Sequence, residues 1–157
     1  MVSRPDISFV LSTLSQFADN PGETHWRTLQ WVITYLFPTW DHWLVMGGSS
    51  NGFEGFTDSD WGSQAHRHSI SGYIFRVGSG AVTWSSKKQS LIALSSTEAE
   101  YIAQTHAARE AIWFRAYWSE ITGTKLTAPL KLLLDNQGAI ALAKSAAYHA
   151  RTKHIDI

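Results

Sequence analysis

The apolar residues of this chain change period partway along, and the change divides it. Ile7, Val10, Leu11, Leu14 and Phe17 recur at helical spacing over residues 6–18. Asn20-Pro21-Gly22-Glu23 then reads as a helix start. Asn20 is the expected cap, Pro21 fits the first helical position, and Glu23 can reach back. The second helix is expected to run to about Phe37, with Trp26, Leu29, Val32, Ile33 and Leu36 on one side. Pro38 should end it. Gly47-Gly48-Ser49-Ser50-Asn51-Gly52 has the composition of a linker. Strands begin after it. Residues 53–60 predict the first, and residues 71–77 and 81–86 flank Gly78-Ser79-Gly80 as a hairpin. Residues 96–121 carry the longest helical pattern. A short buried strand over 130–135 and a helix over 136–144 follow. Strands, then helix, strand and helix, predict an α/β layer fold with a mixed sheet.

Three acidic residues fall on or at the end of elements that otherwise read as core: Asp58, Glu100 and Asp135. Asp58 shares a strand face with Phe56 and Asp60. Asp135 ends the leucine-rich strand, just before a helix. In Ser95-Ser96-Thr97-Glu98-Ala99-Glu100 two glutamates compete, and helix geometry separates them. Ser95 as N-cap puts Glu98 at the third helical position, where it closes a capping box. At about 100° per residue, Ala107, Ala111, Phe114 and Trp118 fall near the azimuth of Glu100. Glu100 therefore faces the sheet, and Glu98 faces solvent or its own cap.

A buried carboxylate is costly unless it is paired or binds a metal. Three from separate elements suggest one shared cation site, and carboxylate-only ligation suits Mg²⁺ or Mn²⁺. Sites in parallel α/β sheets form outside the carboxyl ends of strands, where a helix acid can join them. Two divalent ions about 3.5–4 Å apart in such a site activate a water and stabilise the leaving oxygen in phosphodiester cleavage. Each acid alone also has a structural reading. Asp135 or Asn136 can cap the following helix, and Asp60 can serve a turn. Spacing leaves both readings open.

Composition narrows the class. At 157 residues, 44% hydrophobic and 17% charged, the chain suits one globular domain, or a small domain with an appendage. Thirteen basic and thirteen acidic residues cancel, so any nucleic-acid binding does not come from bulk charge. The absence of cysteine excludes disulfides and thiolate metal sites. No signal-peptide core and no membrane-length apolar run is present, which makes an intracellular, non-membrane protein the expectation.

His66 and His68 lie in a polar loop, and no histidine pair has zinc-protease spacing. His149, Arg151, Lys153 and His154 can contact phosphates or form a solvated tail. Lys87-Lys88 reads as an exposed turn. Trp26, Trp31, Trp113 and Trp118 read as packing groups on helices, and Trp61 and Trp84 as packing beside the candidate site. Ser85, Ser95 and Ser96 lack the nucleophile elbow of a hydrolase triad.

A longer set of motifs carries a resemblance. Gly55-Phe56-Thr57-Asp58-Ser59-Asp60-Trp61, Ser69-Ile70-Ser71-Gly72-Tyr73, Thr83-Trp84-Ser85-Ser86-Lys87-Lys88-Gln89, Leu94-Ser95-Ser96-Thr97-Glu98-Ala99-Glu100-Tyr101, Asp135-Asn136-Gln137 and the stretch from His149 to Ile157 occur in order. Together they resemble the ribonuclease H region of copia-type retrotransposon polyproteins. Arg4-Pro5-Asp6-Ile7 and Asn20-Pro21-Gly22 resemble the tail of the reverse transcriptase that precedes it.

The resemblance implies a five-stranded mixed sheet with helices on its faces. It implies Mg²⁺-dependent (or Mn²⁺-dependent) cleavage of the RNA strand of RNA–DNA hybrids. Asp58, Glu100 and Asp135 match the family's catalytic, metal-binding acids. The family continues into a further strand and a helix bearing a fourth aspartate, which Asp156 is not by position. Phe37-Pro38-Thr39 and Gly138 also depart from its pattern.

The expected architecture is a ribonuclease H-like α/β mixed sheet over 53–157, lacking its last strand and helix. A helical reverse-transcriptase tail over 1–48 precedes it. Expected partners are an RNA–DNA hybrid and the reverse transcriptase of the same polyprotein, with no membrane. The expected location is the cytoplasm, a virus-like particle or the nucleus. With three of four acids, weak cation binding and little cleavage are expected. The alternative is a non-catalytic nucleic-acid-binding or connecting module. Exposed apolar surface is expected around Phe9, Trp31 or Leu36.

Overall fold

The computed structural model describes residues 3–48, 53–63, 67–125 and 127–144. The glycine-rich stretch predicted as a linker is therefore only partly within view. Gly47 is not free: its carbonyl accepts the Ser79 N–H at 2.8 Å, so the chain leaving the N-terminal helices touches the hairpin turn.

The period-2 segment forms β1 (Phe53–Asp60), β2 (Ile70–Val77) and β3 (Gly80–Lys88). α3 (Ser96–Thr122), β4 (Lys131–Leu133) and α4 (Gln137–Lys144) follow. The sheet order is β3-β2-β1-β4, antiparallel except that β4 runs parallel to β1. This is the mixed α/β sheet with flanking helices that the pattern predicts. Among the described residues it has four strands. β4 is shorter than expected, because only Lys131, Leu132 and Leu133 pair with β1.

Alternation gives the sheet two covered faces. On one, Phe53 stacks on Phe75 and on Phe114 of α3, with ring centroids 5.2 and 4.2 Å apart. Gly55 lies under the same Phe75 ring, where an added Cβ would come within 2.2 Å of a ring carbon. The α3 stripe of Ala99, Ala103, Ala107 and Phe114 is buried against this face. Small residues near its start let the helix approach the strands closely. On the other face Phe56, Ile74 and Trp84 line a cavity of about 280 Å³ with Pro5 and Phe9.

Pro5 and Phe9 belong to the N-terminal segment. A 3₁₀ turn (Pro5–Ile7) leads into α1 (Ser8–Ser15), and α2 (Glu23–Leu36) ends in a second 3₁₀ turn over Phe37–Thr39, around Pro38. The start of α2 corrects the expected cap. Gly22, not Asn20, is the N-cap, and its N–H donates to Nδ1 of His25 at 2.9 Å. Pro21 precedes the helix, and Glu23 pairs with Arg27 rather than reaching back. A glycine offers no side-chain oxygen, so the ring nitrogen of His25 supplies the acceptor.

The apolar residues of α2 are mostly uncovered. Only Val32 is buried, while Trp31 is 79% exposed, and Phe9 of α1 is 49% exposed. Trp26 and Trp113 are also exposed, which corrects their reading as packing groups. Leu36 is half-buried. Arg4 ties this segment together. Its guanidinium donates to Asp6 at 2.7 Å and to the carbonyl of Thr39 at 2.8 Å.

Candidate metal centre

Register brings two of the acids together. Phe56 is level with Leu133 across the parallel β1–β4 pair. Asp58 lies two residues beyond Phe56, and Asp135 two beyond Leu133. They therefore end up side by side at the carboxyl ends of adjacent strands, about 4.8 Å apart in the pairing direction. Glu100 comes from the second turn of α3, whose stripe presses it onto the sheet. Its Oε1 accepts the backbone N–H of Ser59 at 3.2 Å. One carboxylate oxygen from each of Asp58, Glu100 and Asp135 lies within 4.8 Å of the others.

Neighbouring residues take the structural jobs that leave these acids available. Ser95 caps α3 by accepting the Glu98 N–H at 3.2 Å. The Glu98 carboxylate turns back and accepts the Leu94 N–H at 2.7 Å. That is one residue before the position expected of a capping box, but it serves the same helix end. Asn136 caps α4, with its Oδ1 accepting the Ala139 N–H at 3.0 Å. The alternatives left open for Asp135 and Asn136 are thus divided: the amide caps, and the acid joins the cluster. Gly138 fits because α4 meets the start of α3 here; an added Cβ would lie 3.0 Å from the Thr97 side chain.

The electrostatics are those of a site short of positive charge. Asp58 and Asp135 are exposed, while Glu100 is only 6% exposed. Its Oε2 is buried with no hydrogen-bond partner among the described residues. Burial pushes the Glu100 carboxyl above the ordinary glutamate range, and the charge of Asp58 pushes the same way, against the Ser59 N–H. A group desolvated beside a like charge favours its neutral form unless a cation arrives. Three carboxylates with no nitrogen or sulfur donor form an all-oxygen set, which fits Mg²⁺ or Mn²⁺.

Other sequence candidates fall elsewhere. His68 is held by its Nδ1 against the Gln89 carbonyl at 2.9 Å. His66, His149, Arg151, Lys153, His154 and Asp156 lie outside the described residues. Trp61 donates to the Ala93 carbonyl at 3.2 Å, a structural tie beside the site. Lys87 and Lys88 are not a turn; they continue β3 opposite Ser71 and Ile70. Gln89, which the sequence shows only as the end of a matching motif, is buried, and its amide donates to Ser71 Oγ and to the Ala99 carbonyl, both at 2.9 Å. It locks α3 to the hairpin. A polar residue in a strand-ending run gives little sign of such a role.

The sequence is 42% identical over 156 residues to the retrovirus-related Pol polyprotein from transposon TNT 1-94 of Nicotiana tabacum, covering 99% of this chain and 12% of that protein. The chain belongs to the copia-type retrotransposon Pol polyproteins. A second Pol relative, from transposon RE2 of Arabidopsis thaliana, is 36% identical over 155 residues, covering 98% of this chain and 11% of that protein. The chain thus spans only about 12% of the length of the Pol polyproteins it matches. It is also 44% identical over 116 residues to secreted RxLR effector protein 161 of Plasmopara viticola, covering 72% of this chain and 81% of that protein. No family model and no solved structure matches this Pol segment. Among its described residues no helix is long and apolar enough to cross a membrane.

Proposed function

We propose that this Pol segment carries a ribonuclease H-like domain that cleaves the RNA strand of RNA–DNA hybrids with Mg²⁺ or Mn²⁺. In this reading residues 53–157 belong to the nuclease domain. Residues 1–48 are the helical end of the reverse transcriptase, whose remainder is the partner of the exposed α2 surface. The observation that carries the proposal is the convergence of Asp58, Glu100 and Asp135, with one buried Glu100 oxygen left without a hydrogen-bond partner among the described residues.

Asp58, Glu100 and Asp135 would hold the metal. When bound, the divalent ion supplies an activated water and electrostatic stabilisation of the leaving oxygen. The protein's own contribution is placement. The Ser59 N–H fixes one Glu100 oxygen, and the other is buried without a hydrogen-bond partner among the described residues. The β1–β4 register sets the spacing of the two aspartates. Deprotonated Glu100 is disfavoured without a cation, so cation binding and loss of its proton are linked.

A second reading is a non-catalytic nucleic-acid-binding or connecting module. One observation favours it: a relative that shares most of its length with this chain is named as a secreted effector rather than a polyprotein. Release of labelled RNA from an RNA–DNA hybrid, with Mg²⁺ or Mn²⁺, separates the two. Cleavage that falls by more than about 100-fold in Asp135→Asn, beyond the loss typical of outer-shell changes, supports the nuclease. Hybrid binding without any cleavage, even in a Pol polypeptide that includes the family's further strand and acidic helix, supports the module. Cleavage that survives Asp135→Asn removes the proposed site.

A further inference from the structure

A second polar site lies beside the first, on the α3 face of the hairpin. Ser71 pairs with Lys87 and Tyr73 with Ser85 across β2 and β3, so these four side chains form one patch. α3 contributes His106 and Arg109, which are three residues apart and so on one flank of the helix. Together the six line a cleft of about 310 Å³. Among the described residues no carboxylate lines it. Glu110 lies just beside it, where its carboxylate accepts the Thr83 hydroxyl and meets the hydroxyl of Tyr73.

Lys87 and Arg109 are exposed, and neither forms a salt bridge among the described residues. The fold thus converges two cations, an imidazole and three hydroxyl-bearing side chains on one space. Glu110 is turned to Thr83 and Tyr73 and forms no salt bridge with either cation among the described residues, so an anion between Lys87 and Arg109 would relieve their like charge. The effect reaches His106: burial lowers its pKa first, and the charges of Lys87 and Arg109 lower it further.

We propose that the cleft formed by Ser71, Tyr73, Ser85, Lys87, His106 and Arg109 binds a phosphate group, and that its ligand is a backbone phosphodiester of a nucleic-acid strand. The donor set fits this chemistry. Lys87 and Arg109 supply charge, and the Ser71 and Ser85 hydroxyls supply neutral donors to the remaining oxygens. The cleft is polar and open to solvent through two exposed side chains, which suits a phosphate on a polymer that cannot be enclosed.

Position agrees. Ser59, whose N–H holds Glu100, is level with Ser71, and Ser71 with Lys87. The cleft therefore lies two strands from the acidic cluster on the same rung, about 10 Å away. A zero net charge leaves attraction of nucleic acid to local features of this kind. The choice of nucleic acid as the phosphate source rests on the reading proposed above; the anion site itself does not.

The test is binding of a labelled RNA–DNA hybrid in EDTA, followed by fluorescence anisotropy across a salt series. Cleavage is not required for this readout. Replacing both exposed cations, Lys87→Ala with Arg109→Ala, should weaken binding by about 10-fold or more. It should also lower the log–log salt slope by about 0.9 for each phosphate that is no longer neutralised. Lys87→Arg should retain most of the affinity. The readout needs neither metal nor cleavage, so failure of the nuclease reading and of this one are told apart.

Thermal melting with inorganic phosphate identifies the other source. Stabilisation by phosphate that the double variant loses, together with reduced hybrid binding, supports the proposal. The same stabilisation with unchanged hybrid binding assigns a free anion and overturns the nucleic-acid ligand. Unchanged hybrid affinity, unchanged slope and no response to phosphate overturn the site itself.

Discussion

Helices α2 and α3 carry the same kind of signal and meet opposite fates. Both show apolar residues at helical spacing. α3 buries Ala99, Ile102, Ala103, Ala107 and Phe114, and drags Glu100 in with them. α2 buries only Val32 and leaves Trp26, Trp31 and Ile33 in water. The difference is not in the helices but in what faces them. α3 has a sheet face whose glycine and aromatic rings fit its small residues. Among the described residues, α2 has nothing of comparable area opposite its tryptophans. An amphipathic pattern reports that a surface wants cover; it does not report where the cover comes from.

The sharpest way to break this comparison is to remove an aromatic ring from each side. Phe75→Ala empties the space shared by Phe53 and Gly55 and should cost about 3–5 kcal/mol in denaturant unfolding. Trp31→Ala should stay within about 0.5 kcal/mol, as surface changes do. Equal losses in the two variants would mean that α2 is packed in solution on something it does not touch here. Trp31→Glu should also reduce aggregation at high protein concentration, measured by light scattering, if the uncovered face is what self-associates.

A smaller effect separates the regions by charge. The Glu100 carboxyl has its pKa raised by burial, then by Asp58. Its stabilising contribution is present below the unfolded glutamate value and lost as pH rises through the raised folded value. Without divalent ions, Glu100→Gln should therefore raise the melting temperature at neutral pH. It should also abolish any Mn²⁺-induced gain. A melting temperature that falls in metal-free buffer would show that the Glu100 charge is already compensated.

The N-terminal segment responds to acid with the opposite sign, and more weakly. The Arg4 guanidinium holds the Asp6 carboxyl down to about 2, helped by Tyr35. That contribution is present above the ordinary aspartate value and lost as pH falls through about 2. The pair is only partly covered, so solvent screening should keep the loss small. Amide exchange between pH 4 and pH 2 should show protection fading in α1 and α2 before α3. Equal protection would place the strength of the N-terminal segment in its apolar contacts rather than in Arg4.

These contrasts also mark what could be read in advance. Glu100 was separable from Glu98 because a helix repeats every 3.6 residues, and the apolar stripe names the buried azimuth. β1 was legible because Phe53–Asp60 alternates against a glycine-rich approach. The cap of α2 was not, because Asn20, Pro21 and Gly22 all suit a helix start, and the choice is made by the reach of the His25 ring. Lys87 read as a turn because its strand partner, Ser71, lies across the hairpin. His106 and Arg109 gave no signal: polar residues on a helix flank acquire meaning only from the strands beside them. The exposure of Trp113 has the same origin: its helical spacing suits packing, and only the neighbouring elements decide whether cover is there.

The brevity of β4 has a consequence for how the molecule is made. Hairpin β2–β3 and the β1–β2 pair close short loops, and α3 can grow from its own cap. The β1–β4 pair joins Phe56 to Leu133 across the whole length of α3, with three residues in register. Closure of so long a loop for so few contacts is entropically dear, so docking of β4 should come late in folding. Asp135 reaches its two companions only in that step. A divalent cation that requires all three acids would then act as a folding ligand, drawing β4 into place by mass action. The gathering of the acids and the docking of β4 would be one event.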